Sequence, residues 1–176
     1  DDVFIFYLAG HGVTNEQDGD YYFLPVNFRY TGSEAITSGG ISKNMILNNL
    51  TKIKAQKTIL FFDTCNSGSF IDNPTKRGIS EKTAIDRLKK AIGRAIIVAS
   101  SENQAALEGI ENHGVFTYSL LKALTGGISN KKDYISISDL SAFIENDVPE
   151  ITYKKWKYEQ IPQKELPKVD FPIVVK

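Results

Sequence analysis

The chain has 176 residues, and 21 lysines and arginines balance 21 aspartates and glutamates to a formal net charge of +0. That balance gives no electrostatic reason to expect a nucleic-acid or anionic-membrane partner, and 41% apolar with 24% charged residues is the composition of a folded domain, not of a disordered tail. A single cysteine excludes an internal disulfide and fits a reducing, cytoplasmic compartment; no apolar run approaches the roughly 18 residues of a membrane span, and the length suits one domain over 1–176.

Val3 to Leu8 is apolar at every position, the pattern of a strand buried on both faces. Such a strand needs neighbours, so further sequence upstream is expected. Gly10 to Asp20 is polar and reads as a loop, and Tyr21 to Leu24, before Pro25, as a short extra strand or hairpin arm. Ser42 is a candidate N-cap for a helix carrying Met45, Ile46, Leu47, Leu50 and Ile53. Thr58 to Phe62 is a second buried strand. A polar loop, Asn66 to Lys82, leads to a helical stripe from Ala84 to Ile92 that Gly93 can close.

Ala95 to Ala99 reads as the third strand. Phe116, Leu120, Leu121 and Leu124 mark a helix ended by Gly126-Gly127, and Ser138 caps another that stops before Pro149. Tyr153 to Lys168 is too polar and too proline-punctuated for a core element and reads as loop, while Phe171 to Val175 reads as a fourth buried strand. Strands alternating with helices predict an α/β layered fold with a mainly parallel sheet.

In an open α/β sheet, ligands sit at the carboxyl ends of the strands. The first strand runs into Gly10-His11-Gly12 and the second into Asp63-Thr64-Cys65-Asn66-Ser67-Gly68. If these strands are parallel neighbours, His11 and Cys65 meet on one rim. A thiol there is a weak nucleophile until an imidazole takes its proton, and the same imidazole can then protonate a leaving amine. The flanking glycines allow close approach of a substrate backbone, and the N–H groups of Gly12 and Cys65 are natural donors to a developing oxyanion. Taken singly, a cysteine at a strand end is as readily a small core hydrophobe. Asp63 stands two residues before Cys65 and so on the same side; it either shares the pocket and pairs with a cationic substrate side chain, or caps the turn Thr64 to Ser67.

These segments resemble the two catalytic motifs of caspase-like cysteine peptidases, in particular the metacaspase and bacterial caspase-homologue branch. Cys65 follows His11 by 54 residues, against about 50 in the caspase pattern. Asp63-Thr64-Cys65-Asn66-Ser67-Gly68 is similar to the metacaspase form Asp-x-Cys-x-Ser-Gly, with Asn66 where metacaspases often have His. Asp18 to Tyr21, Leu24 to Phe28, Ala99 to Ala106, Gly114 to Thr117 and Gln160 to Gln163 also look like segments of that family.

The resemblance implies a three-layer α/β/α sandwich that here begins at what looks like the third of six main strands. It implies that Cys65 is the nucleophile, that His11 is the general acid/base, and that the amides of Gly12 and Cys65 form an oxyanion hole. It implies that Asp63 binds a basic P1 side chain and that the segment with Ser100 and Ser101 lines the substrate cleft. The expected activity is therefore a cysteine endopeptidase cleaving protein or peptide substrates after Arg or Lys; the alternative is a catalytically silent caspase-like module that binds partners. No cofactor is expected, and no calcium, since Gly40-Ile41-Ser42-Lys43 has no acid where calcium-binding members carry a pair; Asp18 and Asp20 read as a solvated loop. Lys76-Arg77 is a candidate self-cleavage site. His113 reads as a surface or capping residue, and Trp156 among its lysines as part of a solvated loop.

Overall fold

The computed structural model describes residues 2–65, 94–101 and 104–175. The helix expected at Ala84 to Ile92, the loop Asn66 to Lys82 and the Lys76-Arg77 site lie outside the described residues. In chain order the elements are β1 (Val3–Thr14), β2 (Tyr21–Leu24), α1 (Ser33–Gly39), β3 (Ile41–Ser42), α2 (Lys43–Leu50), β4 (Lys57–Thr64), β5 (Arg94–Val98), β6 (Glu108–Ile110), β7 (His113–Gly114), α3 (Val115–Lys122), a π-type turn (Ala123–Gly127), β8 (Tyr134–Ser136), α4 (Ile137–Trp156), β9 (Gln163–Glu165) and β10 (Pro172–Val175).

Six strands form one mixed sheet in the order β3-β2-β1-β4-β5-β9. Its centre is parallel, β4 pairing with β1 on one edge and β5 on the other. Thr58 to Thr64 are all buried, as the unbroken apolar run requires of a central strand. Alternation then sorts the side chains into two cores. Ile59, Phe61, Ala95 and Ile97 pack against Phe116 and Leu120 of α3 and Leu140, Ile144 and Val148 of α4. Leu60, Phe62 and Val98 face the other way, against Tyr21 and Ile46, Leu47 and Leu50 of α2. The result is the expected three-layer α/β/α arrangement. Ser42 caps α2 as expected, its hydroxyl accepting from Met45 N at 3.2 Å.

Several elements depart from the sequence reading. The glycine-rich stretch after Leu8 is not loop but the second half of β1, because residues 11–14 pair antiparallel with β2 across a hairpin. β1 is buried less than its composition suggested: Ile5 is 55% and Tyr7 44% exposed, since among the described residues Val3 to Gly10 pair on one edge only, with β4. The last strand, β10, is not a member of the main sheet; it pairs with β8 in a separate two-stranded sheet and is half-exposed.

α4 is capped by Ser136, not Ser138, through a capping box with Asp139. It then runs through Pro149 to Trp156. An interior proline costs roughly 3 kcal/mol, but beyond it Thr152 is fully buried, its hydroxyl donating to Val148 O at 3.0 Å and accepting from Gln160 N at 3.1 Å; these contacts hold the helix past the lost N–H.

The polar stretch after α4 contains a core residue. Gln160 is 0% exposed. Its Nε2 donates to Ala99 O at 2.8 Å and its Oε1 accepts from Leu107 N at 2.8 Å. Gln104 answers from the other side, donating to Glu159 O at 3.0 Å and accepting from Ile161 N at 3.1 Å. Each glutamine thus satisfies the backbone on either side of the other. Gln160→Leu orphans a buried N–H and a buried C=O, and is expected to lower the unfolding free energy by about 2–4 kcal/mol in urea denaturation.

Candidate active site

Alternation along β1 and β4 places Tyr7, Ala9 and His11 on the same side as Asp63 and Cys65. The parallel register pairs Ala9 with Asp63 and Gly10 with Thr64, so His11 and Cys65 follow at the next step, His11 where β1 passes from β4 to β2 and Cys65 just past the end of β4. Both line one cavity of about 400 Å³, together with Tyr7 and Asp63. His11 is exposed and Cys65 half-buried, and neither hydrogen-bonds to the other. The facing wall is the β6–β7 hairpin, which contributes Glu108, Asn112, His113 and Gly114. Its two turn residues, Glu111 and Asn112, have φ of 47° and 64°, the left-handed pair of a type I′ turn, which a glutamate adopts only under strain.

Asp63 is 9% exposed. Its Oδ2 accepts from Thr117 N at 3.2 Å and from the Thr117 hydroxyl. Thr117 is the third residue of α3, whose N-cap, Gly114, has no side chain to give, so Asp63 caps α3 from the end of β4 on the face that α3 covers; the turn Thr64 to Ser67 extends outside the described residues. Gly114 is what permits this approach, since a Cβ there would lie 2.6 Å from Asp63 Oδ2. Burial pushes the Asp63 carboxyl up from the usual range; the two Thr117 bonds pull it back, and the charge of Glu108 adds to the rise.

Gly12 also has a packing reason. Gly12 is buried beneath Tyr21, where a Cβ would stand 2.6 Å from Tyr21 Cε2, and it is not among the cavity-lining residues. The Tyr21 hydroxyl meets Thr64 Oγ1 at 2.7 Å, tying the His11 strand to the residue before Cys65. Burial pushes the Tyr21 phenol up to about 12, with a further rise from Cys65.

Ser100 is 0% exposed and donates to Gln104 O at 3.0 Å; Ser101 is half-buried, and neither lines the cavity. From that segment Ala106 and Glu108 do. His113, read as a surface or capping residue, stands exposed on the cavity wall. Tyr7, Glu108 and Thr117 also escaped the sequence reading, although Thr117 lies in the quoted Gly114 to Thr117 segment. Asp18 is engaged internally, accepting from Tyr22 OH at 2.8 Å and Asp20 N at 2.9 Å. Near Trp156, Lys155 Nζ lies 4.6 Å from the ring centroid and donates to Gly109 O at 2.6 Å. Among the described residues, no helix is long and apolar enough to cross a membrane.

A family model described as the caspase domain matches residues 1–171. No curated protein matches the chain. Among solved structures, protein GSU0716 from Geobacter sulfurreducens is similar, with a TM-score of 0.54 at 17% identity over 94% of this chain. At that identity the likeness speaks for the fold alone. The chain spans 66% of that protein's length.

Proposed function

Because the chain belongs to the caspase-domain family, we propose that it is a cysteine endopeptidase working through a dyad of Cys65 and His11 and cleaving after arginine or lysine. The observation that carries this reading is a single cavity shared by His11, Cys65 and Asp63. Thiol and imidazole stand on neighbouring strands, Cys65 just past β4 and His11 within β1, and a buried carboxylate lies two residues from the thiol.

In the proposed reaction the Cys65 thiolate attacks the scissile carbonyl, its proton having passed to His11. The imidazolium returns that proton to the leaving amine, and a water activated by the same imidazole releases the acyl group from sulfur. The amides of Gly12 and Cys65 are assigned to the oxyanion. Their rigidity has a local source, since the Tyr21–Thr64 hydrogen bond braces both strand ends.

Asp63 takes the P1 cation in this reading. A carboxylate oxygen has two good acceptor directions, and Thr117 uses both at Oδ2. Among the described residues Oδ1 has no hydrogen-bond partner, and Asp63 lines the cavity. A buried anion with an open oxygen favours a cationic guest. Capping α3 is a structural role for the same carboxylate, and the two roles use different oxygens.

The test is a set of fluorogenic peptides bearing Arg, Lys or Asp before the reporter, offered to the full chain and to Cys65→Ala. Release from the Arg and Lys peptides by the unsubstituted chain alone is expected. Equal release by both proteins, or release from the Asp peptide only, refutes the reading.

A further inference from the structure

Thr117 has one hydroxyl proton, and it goes to Asp63 Oδ2. The 2.6 Å contact between Thr117 Oγ1 and the Tyr7 hydroxyl is therefore donated by Tyr7. A directed chain results, from Tyr7 to Thr117 to Asp63, and it has two consequences. Both acceptor directions of Oδ2 are filled, so the carboxylate presents Oδ1 alone to the cavity. The phenol is held at its tip, and Tyr7, 44% exposed as a residue, lines the same cavity as Asp63. With its proton committed to Thr117, the phenol oxygen keeps a lone pair for a guest.

A guest for this cavity has to pair with one carboxylate oxygen, one phenol lone pair and an aromatic face. Glu108 of β6 adds a second carboxylate to the cavity lining. An ammonium is attracted to a ring as a compact point charge, but it is strongly hydrated and has no planar face to stack on it. A guanidinium is planar, carries five donors in a fixed fork, sheds water more readily and stacks on aromatic rings.

We propose that Tyr7 is a specificity-determining residue that selects a guanidinium over an ammonium, and that Thr117 is a positioning residue that turns Asp63 Oδ1 toward the guest. This rests on the reading of the cavity as the pocket for a basic substrate side chain, but not on turnover. Tyr7 is held by β1 and, at its hydroxyl, by Thr117, which is the only side-chain hydrogen-bond partner it has among the described residues, and it lines the cavity where a ligand can reach it.

The experiment measures binding, not cleavage. Full-length Cys65→Ala is titrated calorimetrically with acetyl-arginine amide, acetyl-lysine amide and the neutral acetyl-citrulline amide. The arginine ligand is expected to bind about tenfold more tightly than the lysine ligand, and the citrulline ligand more weakly than both. Adding Tyr7→Leu brings the arginine-to-lysine ratio near one with lysine affinity little changed; Tyr7→Phe, which keeps the ring, retains part of the preference. Adding Thr117→Val weakens both cations and moves the pH at which binding appears upward, and Thr117→Ser restores it. A ratio near one in the Cys65→Ala parent, an unchanged ratio in Tyr7→Leu, or an unmoved pH profile in Thr117→Val overturns the proposal. Arginine-selective binding without any cleavage by the unsubstituted chain removes the peptidase reading and leaves this one standing; cleavage at equal rates after Arg and Lys does the reverse.

Discussion

Replacing Cys65 by alanine is expected to abolish cleavage of an arginine peptide, by at least about a thousandfold in kcat, because the attacking atom is gone and water in its place has no covalent route. His11→Ala is expected to cost about a hundred- to ten-thousandfold, the usual worth of a positioned acid/base. The informative measurement is the double variant. Two groups acting in one proton transfer lose their function together, so Cys65→Ala with His11→Ala should be no slower than Cys65→Ala alone. Multiplicative losses would mean that the two residues act independently, and the dyad assignment would fall. Neither substitution should unfold the chain, since His11 is exposed and Cys65 half-buried at the mouth of a cavity.

Asp63 offers the second large effect, and its two oxygens allow its two roles to be separated. Asp63→Asn removes the charge but keeps a carbonyl oxygen able to accept from Thr117. It should lower kcat/KM for an arginine peptide about a hundredfold, mostly through KM, because truncating one partner of a desolvated charge pair costs about 2–5 kcal/mol. Asp63→Ala should show the same loss of specificity and, in addition, lose the cap on α3, lowering stability by about 0.5–2 kcal/mol.

Two pH dependences of opposite sign follow from the raised carboxyl pKa of Asp63. Cation binding needs the ionised form, so kcat/KM for an arginine peptide rises with pH through that pKa. The folded chain holds this proton more tightly than the unfolded chain does. Its contribution to stability is therefore full below the ordinary carboxyl range and lost as pH rises through the folded value. Asp63→Asn should flatten both dependences, as read by kinetics and by chemical denaturation over the same pH range. A stability curve of the same slope in Asp63→Asn would show that another group carries it.

Tertiary context changed the reading most at Pro149, at Gln160 and in the last strand. Proline rules predicted a helix end before Pro149, yet α4 continues, and beyond the proline the buried Thr152 is tied to Gln160. Gln160 lies in a stretch polar enough to read as loop, yet it is fully buried because its amide meets backbone groups of Ala99 and Leu107. Phe171 to Val175 has the composition of a buried strand, but its pairing with β8 leaves it outside the main sheet. In each case a partner elsewhere in the chain outweighed a local preference.

The amino-acid sequence by itself determined that Val3 to Leu8 and Thr58 to Phe62 are strands, that His11 and Cys65 follow them, and that Asp63 falls on the same side as Cys65; the parallel pairing that joins the two runs came with the tertiary structure. The strands and the shared side follow from a period of two and a continuous apolar run, both local properties of the chain. Only the tertiary structure decided that Asp63 caps α3, that Tyr21 occupies the space above Gly12, that Tyr7 and Glu108 join the cavity wall, and that Ser100 does not. Those outcomes depend on hydrogen bonds and close approaches between residues far apart in sequence. Periodicity records which face a side chain takes, and carries no information about what stands opposite.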